Sequence, residues 1–232
     1  MKPLFKYFFF ISAIVVIFSS CGKNNNNGKM IPADALFVAQ IDIKSIKSKL
    51  PLDDIKQSEW FQQSIADPSA PEWRKKMLEN PSASGIDLDN GLTFFVAKNS
   101  GQNYIVAEGK IKDVKDFEQF NKNFDSSQTI KKEGEINLLG LKDKSIVGWN
   151  DNYFAYVTSA PENSYKDFKW NDTINLQPNN PVDNSRALSA FCKNLFSLKT
   201  DSSLAGNNKF NALLKENGDI HAWQNNEAWV KD

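Results

Sequence analysis

A twelve-residue apolar run, Tyr7 to Phe18, stops at Ser19-Ser20 and then at Cys21. A membrane-spanning helix needs about 20 such residues to cross roughly 30 Å of hydrocarbon, so this run is too short to remain in a bilayer. Lys2 and Lys6 precede it and small residues follow it, the layout of a cleavable export signal. The fold must therefore be built from what comes after, about 210 residues, enough for one large domain or one domain and the start of another. Apolar residues make up 41% of the chain and charged residues 24%, ordinary globular usage that can supply a core. Loss of Lys2 and Lys6 leaves 26 basic against 28 acidic residues. That near-neutral balance offers no electrostatic reason to expect nucleic acid as a partner.

The segment Phe18-Ser19-Ser20-Cys21-Gly22 resembles a bacterial lipobox, with Phe18 where Leu is usual. The resemblance implies cleavage between Ser20 and Cys21 and a diacylglyceride on the Cys21 thiol. One acyl chain holds a membrane only reversibly, whereas two or more hold stably, at roughly 0.8 kcal/mol per buried methylene. Gly22-Lys23-Asn24-Asn25-Asn26-Asn27-Gly28-Lys29 follows, too polar to offset the entropy of ordering. Residues 1–20 are thus read as a signal peptide, and 21–30 as lipidated cysteine and disordered tether. Gly22 is not the acidic residue that commonly retains lipoproteins at the inner membrane, and the tether lacks an acidic surface-display cluster. The expected address is the outer membrane, facing the periplasm.

Residues 31–160 read as an α+β domain with a mixed or antiparallel sheet and several helices. Ala35 to Ile43 is a largely buried strand. Lys44 to Leu50 and Asp53 to Ala66 are helical, the second with Ile55, Trp60, Phe61 and Ile65 on its apolar face; a short helix, Glu72 to Glu79, carries Trp73 and Met77. Leu92 to Ala97 and Tyr104 to Ile111 form a hairpin across Lys98-Asn99-Ser100-Gly101. Asp113 to Phe124 is an amphipathic helix with Val114, Phe117, Phe120 and Phe124 in register. Three or four short strands follow between Thr129 and Thr158. Residues 161–184 read as a linker. Residues 185–232 hold helices at Arg186–Leu198 and Asn208–Lys215, then a strand opening at Gly218 to Gln224 that looks like the start of a second sheet. A strand needs neighbours, so either it joins the first sheet or the chain is a truncated form of something longer.

Chemistry-bearing residues are sparse. One histidine, His221, and one cysteine beyond the lipid site, Cys192, cannot supply the three or four ligands of a zinc centre. His221 is expected on a sheet surface. Cys192 falls on the stripe Leu188, Phe191, Cys192, Leu195, where a buried and inert thiol is expected. Asp87-Leu88-Asp89-Asn90-Gly91 has a calcium-loop look, but its glycine stands at position five and its twelfth residue is Lys98; the EF-hand needs glycine at six and glutamate at twelve. These acids instead shape a turn. Asp53 and Asp54 suit a helix N-terminus. No nucleophile–base pattern or phosphate-cradling glycine run occurs. Trp60 and Trp73 are expected in the core, leaving Trp170 and Trp229 as candidates for exposed contact.

Ile31-Pro32-Ala33-Asp34-Ala35, Lys44-Ser45, Ser84-Gly85-Ile86-Asp87-Leu88 and Gly218-Asp219-Ile220-His221-Ala222-Trp223 together resemble, in order and spacing, Bacteroides-group lipoproteins collected as domain-of-unknown-function family 4836. The resemblance implies a compartment and a mixed α/β domain, and no catalytic residue; this chain corresponds to the N-terminal portion of its longer members. The expected protein is a non-catalytic binding or structural module, held to membrane by lipid and open to other envelope proteins, with no cofactor, metal or nucleic acid. Two rivals stand beside it: a glycan or peptide hydrolase working through Asp/Glu pairs, and a truncated paralogue without independent function. Two facing carboxylates with shifted pKa in one pocket would favour the hydrolase.

Overall fold

A computed structural model describes residues 28–68, 72–123, 128–141, 144–160 and 185–230. Cys21, Trp170 and the linker 161–184 lie outside the described residues. Elements run β1 (Phe37–Ile41), α1 (Ile43–Lys49), α2 (Leu52–Gln57), α3 (Glu59–Ala66), α4 (Glu72–Glu79), β2 (Leu92–Asn99), β3 (Gln102–Lys110) and α5 (Val114–Lys122). Then come β4 (Lys131–Glu133), β5 (Ile136–Gly140), β6 (Ile146–Trp149), β7 (Tyr153–Ser159), α6 (Ser185–Ser197), α7 (Asn208–Leu213), β8 (Ile220–Gln224) and α8 (Asn226–Val230). The strands form one eight-stranded sheet in the order β4-β5-β6-β7-β3-β2-β1-β8, every pair antiparallel. The class is α+β, as the alternation of apolar residues implies.

The hairpin at the heart of the sheet is tighter than its sequence suggests. Only Ser100 and Gly101 lie between β2 and β3, with φ of 53° and 79°. Two positive φ values in succession match the turn to the right-handed twist of the strands. Leu92 pairs with Gly109 and Asn99 with Gln102, eight consecutive pairs.

Each face of the sheet has its own core. Val38, Phe95, Tyr104, Val106, Ala155 and Val157 meet Leu188, Phe191, Cys192 and Leu195 of α6, together with Leu204 and Phe210. Phe191 stacks on Tyr104 with ring centroids 4.2 Å apart. Opposite, Phe117 of α5 drops among Trp149, Phe154 and Leu139. Asp113 caps α5, its Oδ1 accepting from Asp116 N at 3.0 Å. Asn121 is buried with both ends of its amide satisfied. It donates to Phe117 O (2.8 Å) and accepts from the Tyr156 hydroxyl (2.6 Å), which ties α5 to β7.

The C-terminal segment does not open a second sheet. β8 pairs with β1 over five residues, Phe37 opposite Gln224 through Ile41 opposite Ile220. The interlock extends upstream: Ala33 N donates to Ser202 O (3.1 Å) and Leu204 N to Ile31 O (2.9 Å). Residues 185–230 therefore complete the core begun at residue 30. Nothing local in the sequence marks this pairing, because antiparallel partners 180 residues apart leave no trace in periodicity.

Trp60 departs from expectation. It is 57% exposed, while its neighbour Phe61 is 4% exposed. The helix breaks at Ser58, which is extended (φ −70°, ψ 146°), so Ile55 and residues from 60 onward do not share a continuous face. Of two adjacent aromatics about 100° apart around a helix, only Phe61 turns inward. Trp73 and Trp229 lie in α4 and α8, and their side chains are outside the described residues. Asp53 and Asp54 occupy the first turn of α2, where the helix dipole favours acids.

Ser84-Gly85-Ile86 owes its composition to packing. Gly85 has φ +71°, and a Cβ there would stand 2.3 Å from Phe117 N and 2.4 Å from Asp113 O. Its carbonyl accepts from Lys112 N (2.8 Å) and Asp113 N (3.1 Å). Gly85→Ala is expected to cost at least about 2 kcal/mol, combining left-handed strain with the displacement of α5; urea unfolding monitored by tryptophan fluorescence measures it.

Candidate functional site

Antiparallel register places residues of neighbouring strands side by side on one face. On the face under α6, one row reads Trp223, Val38, Phe95, Val106, Val157, apolar throughout. The next row, about 7 Å along the strands, reads His221, Gln40, Thr93, Glu108, Ala155. On β8, β1, β2 and β3 the face thus changes from oil to polar groups in a single step, while Ala155 of β7 stays in the core. The change comes where α6 runs out, with Phe196 near its end.

A cleft of about 250 Å³ lies there, lined by Gln40, Thr93, Glu108 and Lys110 from the sheet, Asn90 and Gly91 before β2, Asn150 and Asn152 before β7, and Lys29, Met30, Tyr153 and Phe196 around them. The size falls just below that of drug-sized ligand sites, which run roughly 300–1,000 Å³. Gly91 can take no side chain: its φ is +76°, and a Cβ would sit 2.5 Å from Ile41 O. The Asp87 turn holds this wall, Asp87 accepting from Asp89 N (3.2 Å) and from Asn90 Nδ2 (2.6 Å). The acids do shape a turn before β2. Asn90 Oδ1 in turn accepts from Lys110 Nζ at 3.0 Å. Asn150 Oδ1 accepts from the backbone N–H of Asn152 and of Tyr153, both at 2.9 Å.

Glu108 is the unusual member. It is 8% exposed, and among the described residues no hydrogen bond or ion pair reaches its carboxyl. Removal from water, with no compensating partner, raises its pKa from 4.5 to about 8. At neutral pH it is therefore an un-ionised acid with one O–H to donate. No motif in the sequence singles out Glu108. The signal was present in Tyr104-Ile105-Val106-Ala107-Glu108, where alternation puts the glutamate on the same face as Tyr104 and Val106.

A second recess, about 400 Å³, lies at the β8 edge among Asp42, Ser45, Lys49, Glu216, Asp219 and His221. Its polar groups satisfy one another. Asp219 accepts from Ser45 Oγ (2.7 Å) and Lys49 Nζ (2.5 Å), and these bonds hold its carboxyl below the usual range. Asp42 caps α1 through Ser45 N (2.8 Å). His221, on the sheet face as expected, lies with Nε2 3.0 Å from Glu216 O. The recess fastens β8 to α1.

Cys192 lies fully buried against the bare backbone of Gly148, where a Cβ would come 2.5 Å from its sulfur. Burial pushes the thiol pKa up to about 12. Among the described residues, no group of three or more His, Cys, Asp and Glu could hold a metal, and no helix is long and apolar enough to cross a membrane.

Residues 27–169 match the family model described as Domain of unknown function (DUF4836). The chain belongs to this family. The match covers β1 through β7, so the DUF4836 domain contains Glu108 and most of the cleft wall, while Phe196 comes from beyond it. No curated protein and no solved structure matches the chain.

Two outcomes follow. Folding binds a proton at Glu108 that the unfolded chain releases above pH 4.5, so this contribution is complete below that value and lost as pH rises through about 8. Wild type should lose on the order of 3 kcal/mol between about pH 5 and about pH 8, and Glu108→Gln should lack that slope, in urea titrations across pH. Cys192 should stay unmodified by a thiol reagent in the native protein and react stoichiometrically in denaturant.

Proposed function

We propose that this DUF4836 protein is a lipid-anchored component of the bacterial envelope, held by Cys21 and facing the periplasm, whose sheet-end cleft binds a small polar ligand without transforming it. The observation that supports binding over hydrolysis is the solitary state of Glu108. Glycoside hydrolysis by paired carboxylates needs two of them about 5 to 9.5 Å apart across the substrate, and among the described residues lining the cleft Glu108 is the one acid. A lone un-ionised carboxyl surrounded by carboxamides, a threonine and lysines can grip a ligand and lacks the second carboxyl of a paired-carboxylate mechanism.

The anchor follows from Phe18-Ser19-Ser20-Cys21 and the polar tether after it. Gly28 and Met30 pack on the domain, the Gly28 carbonyl accepting from Ile31 N and Ala205 N, so the tether expected to reach residue 30 is shorter, and six residues, 22–27, separate Cys21 from the fold. At a reach of roughly 3.3–3.6 Å per residue, they allow the domain to stand up to about 25 Å from the bilayer. Wild type should remain in the membrane pellet through a high-salt wash and carry acyl mass on its N-terminal peptide. Cys21→Ala should leave the pellet and keep its signal peptide or lose it elsewhere. A Cys21→Ala variant that still pellets, or a wild-type protein without acyl mass, defeats the anchor.

A further inference from the structure

The polar groups of the cleft are not evenly balanced between donors and acceptors. Asn150 has committed its oxygen to two backbone N–H groups, which leaves its Nδ2 hydrogens as its remaining capacity. Asn90 is engaged at both ends, by Asp87 and by Lys110. Glu108, buried and without a partner, offers an O–H. Among the described residues, the charged groups that line the cleft with it are Lys110 from β3 and Lys29 from the segment ahead of β1. β1, β2 and α6 contribute Gln40, Thr93 and Phe196, which carry no charge, and β7 contributes the phenol of Tyr153. His221 shares the row but stands three strand spacings from Glu108, about 14 Å.

With its one acid un-ionised, the cleft is net positive and rich in donors. Leaving a buried acid unpaired costs free energy, and an arriving acceptor recovers it. A cationic ligand would have to ionise Glu108 and would meet two lysines. An anionic oxygen receives the Glu108 O–H, as a charge-assisted hydrogen bond, while the lysines balance its charge. Gln40, Thr93 and Asn152 suit hydroxyl groups on the rest of the molecule.

We propose that the cleft takes a small carboxylate-bearing, hydroxylated ligand of monosaccharide size, a sugar acid, with Glu108 as hydrogen-bond donor to its carboxylate and Lys110 as counter-charge. The proposal rests on the reading of the cleft as a ligand site. Binding is then coupled to the proton on Glu108. Affinity is full while that proton is present and falls as pH rises past about 8.

Three probes of one shape and different charge test this on the whole chain in detergent, by isothermal titration calorimetry: D-glucuronate, D-glucose and D-glucosamine. Glucuronate should bind at least about 10-fold more tightly than glucose, and glucosamine most weakly. Between about pH 7 and about pH 9 the glucuronate affinity should drop roughly 10-fold, the weakening expected of a site that must keep its proton. Lys110→Gln should weaken glucuronate about 10-fold and leave glucose unchanged. Glu108→Gln retains an N–H donor and cannot titrate, so it should keep glucuronate binding and lose its decline above neutral pH; circular dichroism confirms that each variant is folded. Tightest binding of glucosamine or of glucose, or loss of glucuronate binding in Glu108→Gln, overturns the charge assignment and leaves the ligand site standing. Binding of none of the three overturns both.

Discussion

The second edge of β1 is the constraint on which the structure turns. β1 leaves the chain's first segment with β2 on one side and, on the other, a row of backbone N–H and C=O groups that must find partners. β8 satisfies them, arriving from some 180 residues downstream. The same closure brings Ser202, Leu204 and Ala205 onto the backbone of residues 28–33 and seats Phe210 against Trp223, ring centroids 5.9 Å apart and nearly perpendicular. Without it α6 would cover the sheet with its far end unsupported. The fold is therefore closed by its two ends meeting, and the core of one face is assembled from both halves of the chain.

That closure also positions the cleft. α6 crosses the row of Glu108 at Ala155 and Gly148, where Cys192 and Phe196 lie, and Phe196 near its end forms one wall of the opening. What remains there is half roofed by Met30 and Lys29, held in place through the Ile31 and Gly28 contacts to Leu204 and Ala205. A carboxyl can be kept un-ionised only if water is largely excluded, and this partial roof achieves that exclusion while leaving an opening. The family match ends at residue 169, yet one wall of the cleft is Phe196. The site belongs to the DUF4836 domain and its C-terminal continuation jointly.

The remaining charged pairs do little beyond holding surfaces together. Lys47–Asp89 (3.3 Å), Lys122–Glu118 (2.7 Å) and Lys193–Glu133 (2.5 Å) are all at least one-third exposed, and such pairs contribute roughly 0–1 kcal/mol. Lys49–Asp219 differs in kind because it joins α1 to the strand that closes the sheet. Two of the titratable groups that burial shifts are Glu108, which faces an opening, and Cys192, which does not. One is available to a ligand and the other is sealed.

Strand alternation and helix period carried the class and most of the elements. Val106 and Phe95 lie inward, Asp113 caps α5, the acids at 87 and 89 make a turn, and Cys192 packs inertly, because each depends on neighbours within a few residues. Trp60 faces outward, against the helical pattern, because the break at Ser58 resets the phase. Glu108 lies in a strand that reads as ordinary, and only the cross-sheet row with Thr93 and Gln40 shows that it faces a void. The sequence alone determined the alternation, the caps and the turns, which are local matters of backbone geometry and apolar spacing. The joining of β8 to β1, and with it the isolation of one carboxyl at the end of a helix, was decided by tertiary structure, since burial is a property of what the rest of the chain brings to a residue.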